Sequence, residues 1–431
     1  LARSRFRRTD SPKDCKCVIC HRRHFFSSTL VTSLPKLEKF SIYAKLGGMN
    51  SKKLNREPAG LYVHVPFCDA KCRYCGFYSE PVKNHDTVRL VSVTITELDR
   101  KRGQESFFVQ TVYIGGGSPS CLPGEQLLRL VNEITSRWPK PEEFTIEVNP
   151  GQVNEDILSQ LCVCGVNRLS IGAQSFNASE LDFLGRRNSV ADICRAVQTA
   201  KQAGFDNISI DLIFAVPGST LESWENSLQS AIDLGIQHIS TYSLTYEEST
   251  PLQKAAAAGE VTPVDEETDR TMYETAIDEL ERAGFRQYEI SNFAQPSFEC
   301  KHNLNYWANR PYIGIGPAAG SYWQGRRTLN IADIRKYIEA IEENAEVAIE
   351  CETPNQLQCA CETAVLNLRR RCGIDLEEFE SRTGFEVRKL FAEPIDRYRQ
   401  LGLIEVAAGR LFLTRKAIPI ADSVLCDFAA V

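Results

Sequence analysis

The sequence predicts an α/β protein: a partial (β/α)6 barrel followed by a small C-terminal domain. Two observations predict it. After residue 56, six short runs rich in β-branched residues (61–65, 111–115, 143–148, 167–172, 207–214 and 237–244) alternate with longer helical stretches such as 124–137, 189–203 and 221–234. Strand followed by helix, repeated, implies parallel strands with helices packed outside, and crossovers of about 20 to 40 residues suit βαβ units. Eight units would close a barrel; six leave it open. The second observation is that the unusual residues collect where these runs end, and barrels of this kind place their chemistry at the C-terminal ends of the strands.

Taken in order, the first run, Leu61-Tyr62-Val63-His64-Val65-Pro66, leads into Cys68, Cys72 and Cys75 at spacing C-x3-C-x2-C, followed by Gly76-Phe77. Thiolates hold iron–sulfur clusters. Three ligands for a [4Fe–4S] cube leave one iron without a protein thiolate, open to a small molecule. A structural zinc site needs four ligands, and no fourth Cys or His follows at the usual spacing; His64 and His85 are the nearest histidines. The second run ends in Gly115-Gly116-Gly117-Ser118-Pro119, the third in Glu147-Val148-Asn149-Pro150, and the fourth in Gly172-Ala173-Gln174-Ser175. Asp211 interrupts the fifth, a costly place for a carboxylate without a partner. The triple glycine lacks both G-x-G-x-x-G and a phosphate loop's Gly-Lys-Ser/Thr. It is a tight turn, or a place where backbone groups approach a ligand other than a nucleotide phosphate.

Composition narrows the class. The 431 residues are 43% hydrophobic, and no run approaches a membrane span of about 18 apolar residues. Sixteen scattered cysteines fit a reducing compartment. Residues 1–56 carry 14 Lys+Arg against 3 Asp+Glu, and the rest carry 36 against 53. So acidic a body argues against nucleic-acid binding. The leader is Arg-rich and acid-poor, as organellar transit peptides are; import into mitochondria or plastids is the expectation. The first Met is Met49, so an untranslated extension is the alternative, with a cytoplasmic protein.

These stretches together resemble the radical S-adenosylmethionine enzymes, and among them oxygen-independent coproporphyrinogen III oxidase and its haem-chaperone relatives. The match runs from about Leu61 into the C-terminal region. It is carried by His64 to Cys68, Gly115 to Pro119, Asp211 to Gly218 and Tyr288 to Ala294. The resemblance implies that Cys68, Cys72 and Cys75 hold a [4Fe–4S] cluster whose open iron is chelated by S-adenosylmethionine. It implies cofactor contacts from Tyr62, Gly116, Gly117, Ser118, Glu147, Gln174, Arg186, Asp211, Ser243 and Gly320, with Arg186 meeting the methionine carboxylate. On this reading a Cβ at Gly117 obstructs the cofactor and spares the cluster.

Two features separate the branches. The oxidases carry a fourth cysteine where this chain has Phe77. Cys300-Lys301-His302-Asn303-Leu304-Asn305-Tyr306-Trp307 carries the His-Asn-x-x-Tyr-Trp pattern of the chaperone group. The resemblance then implies haem as ligand, with His302 as axial donor and Tyr306 and Trp307 against the macrocycle; the plainer reading is a satisfied histidine beside core aromatics. Near residue 320 the chain has Ala319 and Gly320 where that group commonly shows Ala and His. The expected function is a haem chaperone that passes haem to an acceptor protein. The alternative is the oxidase, an enzyme.

The barrel domain is expected over 57–324, a linker and helix over 325–345, and a small domain over 346–431. Helical stretches near 354–370, 375–382 and 386–401 and a hairpin around Ala407-Ala408-Gly409 resemble a winged-helix module. Its Glu377, Glu378, Glu380 and Glu386 make a poor phosphate surface, so a lid or partner surface is expected.

Overall fold

The structure, a computed structural model, describes residues 57–104 and 107–429. The leader, with its expected transit function, lies outside the described residues. The strands β1 Glu57–Val65, β2 Phe107–Gly116, β3 Glu143–Val148, β4 Arg168–Gln174, β5 Ile208–Phe214 and β6 His238–Ser243 run parallel and adjacent. The helices between them include α1 Thr87–Gln104, α2 Gly124–Arg137, α3 Glu155–Val163, α4 Ala178–Leu184, α5 Val190–Gln202 and α6 Leu221–Asp233. This is the expected six-stranded partial barrel.

Alternation along each strand sorts its side chains onto two faces. Leu61, Val63, Val112, Ile114, Phe144, Ile146, Leu169, Ile171, Ile210 and Leu212 form one face and are fully buried. Burying each contributes about 1.5–3 kcal/mol. The other face is polar and meets across strands. Tyr62 donates to His64, Tyr113 to Glu147, and Ser170 to Asp211. The outer face makes the core; the inner face makes the site.

The sheet continues past these six strands. A further parallel strand, β9 Tyr312–Ile315, pairs with β1, with Gly60 opposite Tyr312. The antiparallel strands β7 Arg286–Glu289 and β8 Asn292–Ala294 extend one edge. β10 Gly320–Trp323, β11 Arg326–Asn330 and β12 Ala348–Glu352 extend the other, giving twelve strands among the described residues. The linker expected at 325–345 is therefore built in. It holds β11 and α10 Ile334–Glu342, and the compact units divide between Pro354 and Asn355 instead.

A buried carboxylate explains the attachment. Glu97 of α1 is 1% exposed and accepts from Gly316 N at 2.8 Å, Asn330 Nδ2 at 2.8 Å and the Tyr337 hydroxyl at 2.6 Å. Three donors compensate a charge that burial alone penalises. No local periodicity in residues 325–345 announces this, because the partner lies more than 200 residues away.

The smaller unit contains α11 Gln356–Arg369, α12 Leu376–Thr383, α14 Ala392–Gln400 and α15 Ala421–Ala429 around a three-stranded sheet. Its hairpin joins Ile404–Ala407 to Arg410–Leu413, with Ala407 opposite Arg410. Helices followed by this hairpin give the expected winged-helix-like domain, beginning at Asn355 rather than 346.

Candidate functional site

The cysteine loop leaves β1 and is fastened at both ends. Gly117 N donates to Val65 O at 2.9 Å and Ser118 N to Phe67 O at 2.6 Å, tying its start to the glycine turn. Phe67–Cys68 pairs in parallel with Glu80–Pro81, which ties its exit. Its middle is held by Arg73, whose N–H donates to Leu184 O and whose carbonyl accepts from Leu252 N. The guanidinium of Arg73 lies 5.1 Å from the Phe183 ring. The eight residues from Cys68 to Cys75 thus have little freedom.

His64 supports the loop from beneath. Its Nε2 lies 3.1 Å from Tyr78 O and its Nδ1 2.9 Å from the Tyr62 hydroxyl. A carbonyl can only accept, so Nε2 carries the proton and Nδ1 accepts from Tyr62. Burial holds the imidazole down at about 4, hence neutral. Gly116 has φ +104°, and a Cβ there would stand 2.3 Å from this ring.

The three thiols are free and half-buried. Burial pushes Cys68 up to about 12, with Cys75, Cys121 and Cys72 adding repulsion and Ser79 relieving part of it. Burial likewise pushes Cys75 up to about 11. Crowded thiols in this state become thiolates only against a cationic centre. Among the described residues no three Cys, His, Asp or Glu side chains converge on one metal ion. Arg186 Nη1 lies 3.6 Å from Cys72 Sγ. The donor set fits a [4Fe–4S] group.

Beside the loop, the inner face presents two carboxyls. Glu147 accepts from the Tyr113 hydroxyl at 2.8 Å and from Gly116 N at 3.1 Å. Burial, with repulsion from Asp211, pushes it up to about 7. Asp211 is also raised by burial, against donation from Ser240 and Ser170. Both favour a ligand that brings positive charge or hydroxyl donors. Gln174, at φ +74°, ends β4 close to Arg186 over Gly172.

The fold brings Cys68, Cys72, Cys75, Gly116, Gly117, Ser118, Glu147, Gln174, Arg186 and Asp211 to one end of the barrel. Tyr62 reaches the site through His64. Ser243 ends β6 with its hydroxyl given to Asp269. Gly320 opens β10, two strands out from β1, and is not part of this cluster of side chains.

Two expectations need correction. A Cβ at Gly117 would meet Phe67 O at 2.4 Å and Phe67 N at 2.8 Å. The close approach at Gly117 is to the cluster loop's own backbone, so a side chain there cannot spare the cluster. The second concerns α9 Lys301–Trp307, which plugs the opposite end of the barrel, at the strand starts. Glu143 caps it, accepting from Lys301 N at 2.8 Å and His302 N at 3.1 Å. His302 is 1% exposed; its Nδ1 pairs with Thr111 at 2.8 Å and its Nε2 with Tyr306 at 3.0 Å. It stacks on Tyr113, and burial holds it down at about 3. As folded, His302 presents no free nitrogen to haem iron, Tyr306 is buried with it, and Trp307 is half-buried on the same short helix.

Residues that sequence reasoning missed are His64, Tyr113 and Cys121. Tyr62, His64, Tyr113 and Glu147 share one strand parity, a signal that period-two reading could have used. Cys121 follows the glycine turn, and its thiol donates to Gln152 Oε1 at 3.2 Å; nothing in its local sequence marks it.

Comparison with known proteins agrees with this geometry. Residues 62–231 match the family described as the Radical SAM superfamily, and 358–420 match the HemN C-terminal domain. Heme chaperone HemW of Lactococcus lactis is 33% identical, over 86% of this chain and 98% of its own. That of Bacillus subtilis is 34% identical, over 85% and 98%. A zebrafish (Danio rerio) protein named radical S-adenosyl methionine domain-containing protein 1, mitochondrial, is 34% identical over 75% of each chain. The solved Escherichia coli coproporphyrinogen III oxidase HemN superposes with a TM-score of 0.76 over 87% of this chain and 91% of its own, at 21% identity, a likeness of fold.

Proposed function

Since the chain belongs to the radical SAM family, in its haem-chaperone branch, we propose that it binds haem and passes it to an acceptor protein while carrying a [4Fe–4S] cluster and exchangeable S-adenosylmethionine. Phe77 carries the choice between branches. It occupies the place of the oxidases' fourth cysteine, next to the cluster loop, where its carbonyl accepts from Lys71 at 2.8 Å.

Cys68, Cys72 and Cys75 are the residues that would hold the cluster. When bound, it supplies one-electron chemistry and an open coordination position for the amino and carboxylate groups of S-adenosylmethionine. The chain's own residues supply the surroundings. His64 fixes the loop's exit, Glu147 and Asp211 receive donors, and Gly116 leaves room for the imidazole beneath it. Haem ligation by His302, Tyr306 and Trp307 would require α9 to leave the barrel's end and the His302–Tyr306 bond to break.

No described helix is long and apolar enough to cross a membrane. The mitochondrial name of the zebrafish relative supports reading residues 1–56 as an import signal.

The oxidase is the second reading, favoured by the shared fold. Reconstituted protein with S-adenosylmethionine, an electron donor and coproporphyrinogen III is expected to form no protoporphyrinogen IX under conditions in which an authentic oxidase does. Steady conversion would establish the oxidase instead.

A further inference from the structure

The resemblance assigns Arg186 to the carboxylate of S-adenosylmethionine, but its guanidinium is already engaged on three sides. Nη2 donates to Gly172 O at 2.6 Å and Nε to Asn188 Oδ1 at 3.1 Å. These two bonds fix its plane and direct Nη1 at Cys72 Sγ, 3.6 Å away.

Among the described residues no charged side chain hydrogen-bonds to Cys68 or Cys75; Lys71 and Arg186 act on Cys75 through their charge alone. Cys72 is thus the one thiol of the three that receives a charge-assisted bond from a side chain in this structure. We propose that Arg186 is a positioning residue that raises the reduction potential of the cluster through the Cys72 sulfur.

The inference rests on the cluster reading given above. Reduction adds one negative charge to the cluster and its thiolates. Hydrogen bonds to cysteine sulfur and a nearby fixed cation stabilise that added charge, and such bonds are among the determinants of cluster potentials. Burial strengthens the effect, because the local dielectric is low. Removing the donors therefore makes the cluster harder to reduce. The role is distinct from holding iron, which the sulfur does by itself.

The test is a dithionite titration of the full chain, reconstituted and free of S-adenosylmethionine, followed by electron paramagnetic resonance. Arg186→Gln is expected to move the midpoint to more negative potential, by about tenfold or more in the reduction equilibrium, equivalent to about 59 mV for one electron. Arg186→Lys, which keeps the charge, is expected to recover part of that shift. A wild-type midpoint in Arg186→Gln at full iron and sulfide content would overturn the proposal. If Arg186→Gln holds no cluster, Arg186→Lys decides: a midpoint more negative than wild type supports the proposal and an unmoved one overturns it. A wild-type chain that takes up no cluster would instead overturn the cluster reading itself.

Discussion

Replacing Cys72 with alanine is expected to abolish the broad visible absorption of the reconstituted protein and to leave iron and sulfide near zero. Two remaining thiols cannot hold a cube that three secure, and the lost one is the sulfur that Arg186 addresses. The apo fold should survive, because the loop is held through backbone bonds from Gly117 to Val65 and from Arg73 to Leu184. Unfolding of the variant and the wild-type apoprotein should therefore differ by about 1 kcal/mol or less. Cys121→Ala is the control. Its thiol lies near Cys68 yet outside the C-x3-C-x2-C spacing, and the variant is expected to keep its cluster. Full iron content in Cys72→Ala, or its loss in Cys121→Ala, would show that the wrong thiols have been assigned.

Gly117→Val is expected to lose the cluster as well, by a different route. Its Cβ would sit 2.4 Å from a backbone oxygen and 2.8 Å from a backbone nitrogen of Phe67. Neither can swing away as a flexible side chain would. Either the glycine turn or the strand leading into Cys68 must move, at a cost of about 3 kcal/mol or more. The apoprotein should unfold at lower denaturant, and cluster content should fall in parallel. Gly103→Ala is the contrast: nothing lies within 4 Å of that Cβ, and the position is helical. It should be neutral or slightly stabilising. A Gly117→Val protein with a full cluster and unchanged stability would remove the close approach from the account.

The barrel was legible because parallel strands buried on one face and polar on the other still read as compact β-branched runs. Leu61–Val65, Glu143–Val148 and Ile208–Phe214 are such runs. The antiparallel additions were not legible. Tyr312–Ile315 and Gly320–Trp323 are four residues each and Glycine-containing, and what holds their turn is Glu97, far away in sequence. The site was legible where chemistry is local, as in the cysteine spacing. It was illegible where a role depends on a partner. His302 sits beside two aromatics in sequence, which suits a haem ligand and a floor residue equally well. Only Thr111, on another strand, and Tyr306, one helical turn on, reveal that both ring nitrogens are taken. Arg186 shows the same limit, since its sulfur partner lies 114 positions away.

A haem titration of the cluster-loaded full chain tests the proposed haem carriage most directly. Saturable binding at about one haem per chain is expected, with a shifted Soret band relative to free haem. Adding an apo-haem protein should then draw the haem off, as a chaperone requires. A titration with no saturation and no change in the Soret band would contradict the account.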